Sequence, residues 1–163
     1  MLNIEPAKAE QINEIKTLFQ EYAASLHYNL CFQDFETELR TLPGKYEEPR
    51  GTLLIATDAG KVAGCVALRP LDEEHVCEMK RLYVRTDFQN RGIGAKLIAS
   101  VIRAAEGKGY TRMRLDTMPS MTSAISLYRK FGFYEIAAYC VNPVSGALFM
   151  EATIAELAKA GDK

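Results

Sequence analysis

The six residues from Gln89 to Gly94 have the residue types and spacing best suited to binding an anion. They read Gln-Asn-Arg-Gly-Ile-Gly and lie between a strand-like run, Cys77 to Val84, and a run with apolar residues at helical spacing. A glycine-rich turn that leads into a helix leaves backbone N–H groups pointing outward, and these suit a phosphate or pyrophosphate. A Cβ at either glycine would keep that ligand away from the backbone. The segment therefore predicts a pyrophosphate-binding loop.

Two common nucleotide-binding loops do not match this segment. A dinucleotide fingerprint needs a small residue three positions after the second glycine, where this chain has Leu97. A Walker loop needs Gly-Lys followed by Ser or Thr, and that tripeptide is missing. The pattern that matches is Q/R-x-x-G-x-G/A. The segment thus resembles the pyrophosphate loop of the Gcn5-related N-acetyltransferase (GNAT) superfamily, whose members bind acetyl-coenzyme A.

A second motif supports the same resemblance. The run from Leu127 to Phe133, Leu-Tyr-Arg-Lys-Phe-Gly-Phe, is similar to the L-Y-x-x-x-G-F segment that closes the acetyl-CoA site in that family. It follows a predicted strand from Arg112 to Thr117, and its apolar residues recur at helical spacing up to a terminating glycine. Two motifs in the family's order, with a strand and a helix correctly placed, make the combination specific.

The resemblance implies a fold and a set of coenzyme-binding residues. The fold is the GNAT acyl-CoA N-acyltransferase fold, of the α/β class with a mixed central sheet and helices on both faces. Its two central parallel strands splay apart and admit the pantetheine arm of acetyl-CoA, which is a co-substrate; no metal is expected. The residues implied to bind acetyl-CoA are Leu82, Tyr83 and Val84 on the strand, and Gln89, Asn90, Arg91, Gly92, Ile93, Gly94 and Ala95 in the loop.

The resemblance also implies two catalytic side chains. Tyr128 corresponds to the tyrosine that gives a proton to the departing thiolate; the alternative is an aromatic residue packed in the core. Glu78 stands eleven residues before Gln89, where a branch of the family has its base. Burial should raise the pKa of Glu78, although neighbouring Lys80 would oppose the rise, as would Arg81 and Arg114. The alternative for Glu78 is a structural ion pair with one of the neighbouring arginines or lysines.

One position departs from the family pattern. Many relatives have an asparagine seven residues before the tyrosine, and it contacts the coenzyme arm, whereas this chain has Met121. That contact is expected to be lost, or moved to Thr117, Thr122 or Ser123.

The remaining patterns predict the elements that position these residues. Helices are predicted from about Ala9 to Leu26, around Phe35 to Leu42, after Gly94 to about Glu106, and from Pro119 or Ser120. Strands are predicted at 2–4, 52–57, 62–68, 77–84, 112–117, 133–139 and 147–154. The prediction is one N-acetyltransferase domain over residues 1–155, followed by a polar tail over residues 156–163.

The charge composition of the chain argues against two classes of binding partner. The 163 residues carry 20 basic and 21 acidic side chains, so no basic field favours nucleic acid or an anionic membrane. The N-terminus lacks the pattern of a signal peptide, and the protein is expected to be soluble and cytoplasmic. The four scattered cysteines and two histidines lack metal-ligand spacing, and reduced, structural thiols are expected rather than a catalytic Cys–His pair. A homodimer is left open.

The acceptor is the least determined part of the reaction. Residues of the first helix pair and the last strand pair are expected to wall its site: His27, Tyr28, Asn29, Cys31, Phe32, Tyr139, Asn142 and Pro143. Their aromatic rings and few charges suggest a small, partly apolar amine. The expected reaction is direct acetylation, by acetyl-CoA, of a primary amine on a small-molecule or amino-acid-like acceptor. The alternatives are a protein lysine or N-terminal acetyltransferase and, outside catalysis, a module that senses acyl-CoA.

Overall fold

The computed structural model describes residues 1–26 and 34–161, and its core is a single seven-stranded sheet. The elements in chain order are β1 Leu2–Pro6, α1 Ile12–Ser25, α2 Phe35–Thr41, β2 Thr52–Asp58, β3 Lys61–Pro70, β4 Val76–Val84, α3 Ile93–Gly107, β5 Arg112–Thr117, α4 Thr122–Phe131, β6 Tyr134–Ile136, β7 Leu148–Thr153 and α5 Ile154–Gly161. The strand order is β1-β2-β3-β4-β5-β7-β6, and β4 and β5 form the parallel pair within an otherwise antiparallel arrangement. This is the mixed sheet that the sequence predicted.

Helices cover the two faces of the sheet with two separate apolar cores. The larger core packs α3, α4 and α5 against one face, and its helical members include Leu97, Val101, Tyr128 and Leu157. The smaller core packs α1 and α2 against the strands β2 and β3 on the other face. Helix α2 has only seven residues, and Tyr83 of β4 packs against this smaller core as well.

The two parallel strands pair over a short stretch and then separate. Their register comprises three pairs, and the last joins Glu78 to Arg114. Beyond that pair β4 continues to Val84 and β5 to Thr117 without further pairing to each other. A wedge-shaped cleft therefore opens at the centre of the sheet, as the family resemblance implied.

Three predicted boundaries differ from the structure. Helix α4 begins at Thr122 rather than at Pro119 or Ser120. Strand β6 has three residues, because the chain beyond Ile136 leaves the sheet and turns toward the cleft. The predicted polar tail is instead mostly helix α5, whose Leu157 is fully buried in the larger core, where it packs beside α3.

In the described residues, none of the helices combines the length and the apolar character that crossing a bilayer requires.

Candidate active site

The predicted pyrophosphate loop forms a left-handed turn at the start of α3. Gly92 caps the helix with φ +78°, and Asn90 also has positive φ, at +64°. A Cβ built on Gly92 meets no atom within 4 Å, so the turn is open on its outer side. The side-chain amide of Gln89 donates a 3.1 Å hydrogen bond to the backbone carbonyl of Val84 and so connects the loop to β4. Helix geometry leaves the first-turn N–H groups without intrahelical partners, so this turn fits a pyrophosphate.

The residues after Gly92 connect this loop with the core. Ile93 is buried in the larger core. A Cβ on Gly94 would lie 3.6 Å from Leu127 of α4 and 3.9 Å from Val84 of β4, which is ordinary contact. The second glycine therefore lies where β4, α3 and α4 meet, beside the two elements that flank the cleft.

Arg91 is the one charged side chain of the loop, and it is exposed. Its guanidinium lies over the Phe88 ring, 5.3 Å from the centroid, and 3.7 Å from Asp58 on the β2–β3 hairpin. These contacts hold it on the surface beside the loop.

The cleft between β4 and β5 contains a small cavity of about 30 Å³, roughly the volume of one water molecule. Its lining residues come from both splayed strands and from α1 and α4: Tyr22, Met79, Lys80, Arg81, Leu82, Leu115, Asp116, Thr117, Met118, Met121 and Tyr128. Tyr83 and Val84, which follow Leu82, pair with β3 on one side only. The other edge of β4 faces the cleft, where its backbone groups can pair with the amides of a bound chain.

Tyr128 reaches this cleft from the buried face of α4. Its side chain is nearly buried and packs edge-on against Phe133, with ring centroids 5.8 Å apart. Burial raises the pKa of the Tyr128 phenol. The hydroxyl therefore keeps its proton at neutral pH, which a proton donor requires. Tyr128 is therefore a core aromatic residue that also lines the cleft, and its role as a proton donor stays a prediction.

Met121 stands at the position of the family's asparagine, in the turn before α4. Its sulfur accepts a 3.7 Å hydrogen bond from the hydroxyl of Thr117, at the end of β5. Both residues line the cleft. A thioether thus occupies this place in the cleft wall.

Glu78 lies at the last paired position of the parallel strands, and both of its oxygens are engaged. Arg69 of β3 donates to Oε1 at 2.7 Å, and the Tyr139 hydroxyl donates to Oε2 at 2.5 Å. The ammonium of Lys80 lies 4.0 Å from Oε1. The side chain is only 1% exposed. Glu78 is therefore a clamped carboxylate in an ion-pair cluster.

The expected direction of the Glu78 pKa shift is wrong. Burial alone would raise the pKa, but the cations of Lys80 and Arg69 outweigh burial, and the phenol hydrogen bond adds to them. The pKa of Glu78 therefore lies below its ordinary value. The sequence indicated Lys80 as an opposing charge but missed Arg69, because that residue is brought close only by the pairing of β3 with β4.

Arg81 pairs with a different carboxylate. Its guanidinium donates to both oxygens of Glu38 on α2, at 2.9 and 3.0 Å, and lies over the Phe35 ring. The residue has φ +59° and sits where the register between β3 and β4 shifts, which is a β-bulge. The bulge and the buried ion pair together fix α2 against β4.

A larger cavity of about 300 Å³ adjoins the cleft on the α2 side. It is bounded by α2, the turn at Pro43 to Tyr46, the three central strands and the β6–β7 loop. The charged residues in its lining carry both signs: Asp34, Glu38, Lys45, Arg69, Glu78, Lys80 and Asp116.

Two residues of the β6–β7 loop hold carboxylates of this cavity. Tyr139 contacts Glu78, and Asn142 donates to Asp116 at 3.1 Å. Sequence analysis selected both loop residues but missed Asp116, whose only signal was a charged residue inside a strand. Pro143, also predicted for the acceptor site, is not among the residues that line this cavity. The predicted residues His27, Tyr28, Asn29, Cys31 and Phe32 lie outside the described residues.

Two of the three described cysteines are buried and are therefore poorly placed to act as nucleophiles. Cys65 and Cys77 are buried in the sheet, and burial raises the pKa of both thiols, that of Cys77 to about 12. Cys140 is exposed in the β6–β7 loop and lines the larger cavity.

Comparison with known proteins gives a consistent result. The model of the acetyltransferase (GNAT) family matches residues 12–133. An uncharacterised N-acetyltransferase of Schizosaccharomyces pombe is 37% identical over 86% of this chain and 87% of its own length. A GNAT-family acetyltransferase from Staphylococcus aureus Mu50 superposes with a TM-score of 0.76 at 20% identity, covering 94% of this chain and 99% of its own. An acetyltransferase from Salmonella typhimurium, solved with its cofactor acetyl-CoA, has a TM-score of 0.69 at 20% identity and covers 94% of both chains.

Proposed function

Because this chain belongs to the acetyltransferase (GNAT) family and is an N-acetyltransferase, we propose that it transfers an acetyl group from acetyl-CoA to a small or amino-acid-like primary amine. The observation that carries the proposal is the juxtaposition of an open glycine turn, a splayed strand pair and a cavity of about 300 Å³. The turn suits a pyrophosphate, the splay suits an amide-containing arm, and the cavity is of a size typical for small ligands.

The residues that would hold acetyl-CoA act mainly through their backbone. The turn from Gln89 to Gly94, with Ala95, would bind the pyrophosphate through N–H groups at the start of α3. Leu82, Tyr83 and Val84 would pair with the pantetheine amides along the free edge of β4. When bound, acetyl-CoA supplies a thioester whose carbonyl carbon is the electrophile.

Two kinds of side chain would handle the protons. Tyr128, a buried phenol that keeps its proton, would donate to the departing sulfur. A carboxylate of the larger cavity would receive the proton of the amine, and Glu78 is the candidate from the sequence. No covalent acetyl-enzyme is needed, since the cavity adjoins the cleft and the amine can attack directly.

The cavity supports the proposed class of acceptor. Arg69, Lys80 and Lys45 contribute positive charge, while carboxylates lie on the same walls. A molecule that carries both an amine and an acidic group would find a partner for each.

The proposal is tested by incubating the protein with acetyl-CoA and three sets of acceptors, while free coenzyme A thiol and the acetylated product are measured. The sets are free amines and amino acids, peptides with an internal lysine, and peptides with a free N-terminus. We expect turnover with members of the first set. Preference for either peptide set would replace the small-molecule proposal by a protein acetyltransferase. Tight acetyl-CoA binding without turnover on any set would favour a sensing module.

A further inference from the structure

Two carboxylates face the larger cavity close to the cleft, and they differ in how they are held. Both lie on the sheet face that α2 covers, Glu78 on β4 and Asp116 on β5. Glu78 occupies the last paired position of the two strands, so it lies at the closed end of the wedge. Asp116 is two residues beyond the paired Arg114, on the open part.

The position of Asp116 connects the two cavities. Asp116 lines both the small cavity of the cleft, beside Tyr128, and the larger cavity on the α2 side. Glu78 lines the larger cavity. Lys80 also lines both cavities, so an amine that moves from the larger cavity toward the cleft passes beside Asp116 and Lys80, whereas Glu78 lines the larger cavity alone.

The hydrogen bonds of the two carboxylates also differ. Glu78 accepts from a guanidinium on one oxygen and from a phenol on the other. Asp116 accepts from the neutral amide of Asn142 on Oδ2, at 3.1 Å, and its Oδ1 forms an ion pair at 3.9 Å with the ammonium of Lys80, which lies 4.0 Å from Glu78 as well. A carboxylate offers about four acceptor positions, so Asp116 has room for an ammonium donor.

We infer that Asp116 binds the ammonium group of the acceptor and takes its proton, with Asn142 as the positioning residue that orients the carboxylate. Glu78 is then a structural clamp that fixes Arg69 and Tyr139 around the cavity. This inference rests on the proposed function and names the carboxylate that the proposed function left open.

Each proton that moves in the proposed reaction has a donor and an acceptor. The ammonium N–H bond breaks and its proton joins an Asp116 oxygen. The freed nitrogen electron pair forms the bond to the acetyl carbonyl carbon, with loss of the carbon–sulfur bond, while Tyr128 gives its proton to the departing sulfur. The second nitrogen proton returns to the Tyr128 oxygen through solvent, and Asp116 releases its proton to water.

The main test compares Asp116→Asn with Glu78→Gln, using an amine that the wild-type protein acetylates. Asparagine preserves the size of Asp116 but removes the base. We expect kcat/KM to fall about 10²–10³-fold, the usual range for a lost general base, with the acetyl-CoA dissociation constant unchanged. The loss should be greatest for the most basic amines, because the variant can use only the fraction of amine that is already deprotonated, and the acidic limb of the pH profile should move up toward the pKa of the free amine. Glu78→Gln should lower kcat/KM by a much smaller factor.

The opposite ranking overturns the inference. A rate for Asp116→Asn close to wild type, or a larger loss for Glu78→Gln that deepens with amine basicity, would return the base to Glu78. Failure of the wild-type protein to acetylate any amine would instead remove the proposed function, so the two failures are distinguishable.

A second pair of variants avoids the sheet and is used if Asp116→Asn does not fold. Asn142→Ala releases Asp116, and Tyr139→Phe releases Glu78, and both changes lie in the β6–β7 loop. The inference predicts the larger fall in kcat/KM, together with a shifted acidic limb, for Asn142→Ala. A larger fall for Tyr139→Phe, or no shift of the limb in either variant, would overturn it.

Discussion

The coenzyme side and the acceptor side of the cleft are built in different ways. On the coenzyme side, the proposed binding groups are backbone atoms: those of the turn around Gly92 and of the free edge of β4. On the acceptor side they are charged side chains from three strands, one short helix and one loop. Backbone sites tolerate many side chains but need special geometry at one or two positions. Side-chain sites depend on identity at every position, so the acceptor side is where relatives can change substrate.

The first prediction concerns the one side chain that the coenzyme side needs. Tyr128→Phe should lower turnover about 10²-fold or more, since it removes only the proton-donating hydroxyl. Acetyl-CoA affinity, measured by calorimetric titration, should not change. Tyr110→Phe is the matched control, because its hydroxyl donates to the Arg50 carbonyl far from the cleft. Equal turnover in the two variants would make Tyr128 purely a core residue.

The second prediction concerns the ion-pair cluster on the acceptor side. Glu78→Gln should reduce the free energy of unfolding by about 2 kcal/mol at pH 7, because a buried carboxylate bound to charged and polar donors is lost. The folded-state pKa of Glu78 is lowered, so its contribution is complete above the unfolded pKa and disappears as the pH falls through the folded value.

Urea unfolding of both proteins from pH 7 to pH 3 measures this effect. The difference between wild type and variant should narrow below roughly pH 4, where unfolded glutamate begins to bind protons. A difference that stays constant, or grows, in acid would contradict the lowered pKa. It would also weaken the proposed difference between Glu78, whose two oxygens both accept strong hydrogen bonds, and Asp116, which can still accept one from an ammonium group.

The third prediction tests the backbone character of the coenzyme side. Gly92→Val should raise the acetyl-CoA dissociation constant at least about tenfold, because a branched side chain strains a left-handed residue and fills space that the pyrophosphate needs. Gly109→Val is the matched control, since Gly109 has φ +88° and equally open surroundings. Affinity that is unchanged in a folded Gly92→Val protein, or reduced equally in both, would remove this turn from the site.

The contrast also explains what the sequence could predict. Local patterns can be read from one sequence, as with Gly92, Gly94 and the Leu-Tyr-x-x-x-Gly-Phe motif. The predictions made from them were confirmed for the family, the mixed sheet and the separation of its two central strands. The roles of the individual site residues stay predictions. On the acceptor side, Arg69, Glu78 and Asp116 become neighbours only through strand pairing, and Asn142 reaches Asp116 across 26 positions. A single sequence has no local pattern for such contacts.

Helix α5 illustrates a second limit. The sequence predicts a polar tail over residues 156–163, whereas the structure has helix α5 over Ile154–Gly161. Leu157 and Ile154 lie three positions apart, so both face the larger core beside α3. The segment is rich in good helix formers, but eight residues are too few for a stable isolated helix, so the packing of Ile154 and Leu157 adds the stability that this helix needs.

The bulge at Arg81 changes which side chains of β4 point to each face of the sheet. In a regular strand, odd and even residues face opposite sides, and one extra residue reverses that parity for everything that follows. Before the bulge, Glu78 and Lys80 face the larger cavity. After the bulge, Leu82 and Val84 pack against the larger core, while Tyr83 packs against the smaller core. Removing one residue at this point would invert the second half of β4 and leave the first half in place. The bulge thus separates the half of β4 that is proposed to contact the acceptor from the half that is proposed to contact the coenzyme.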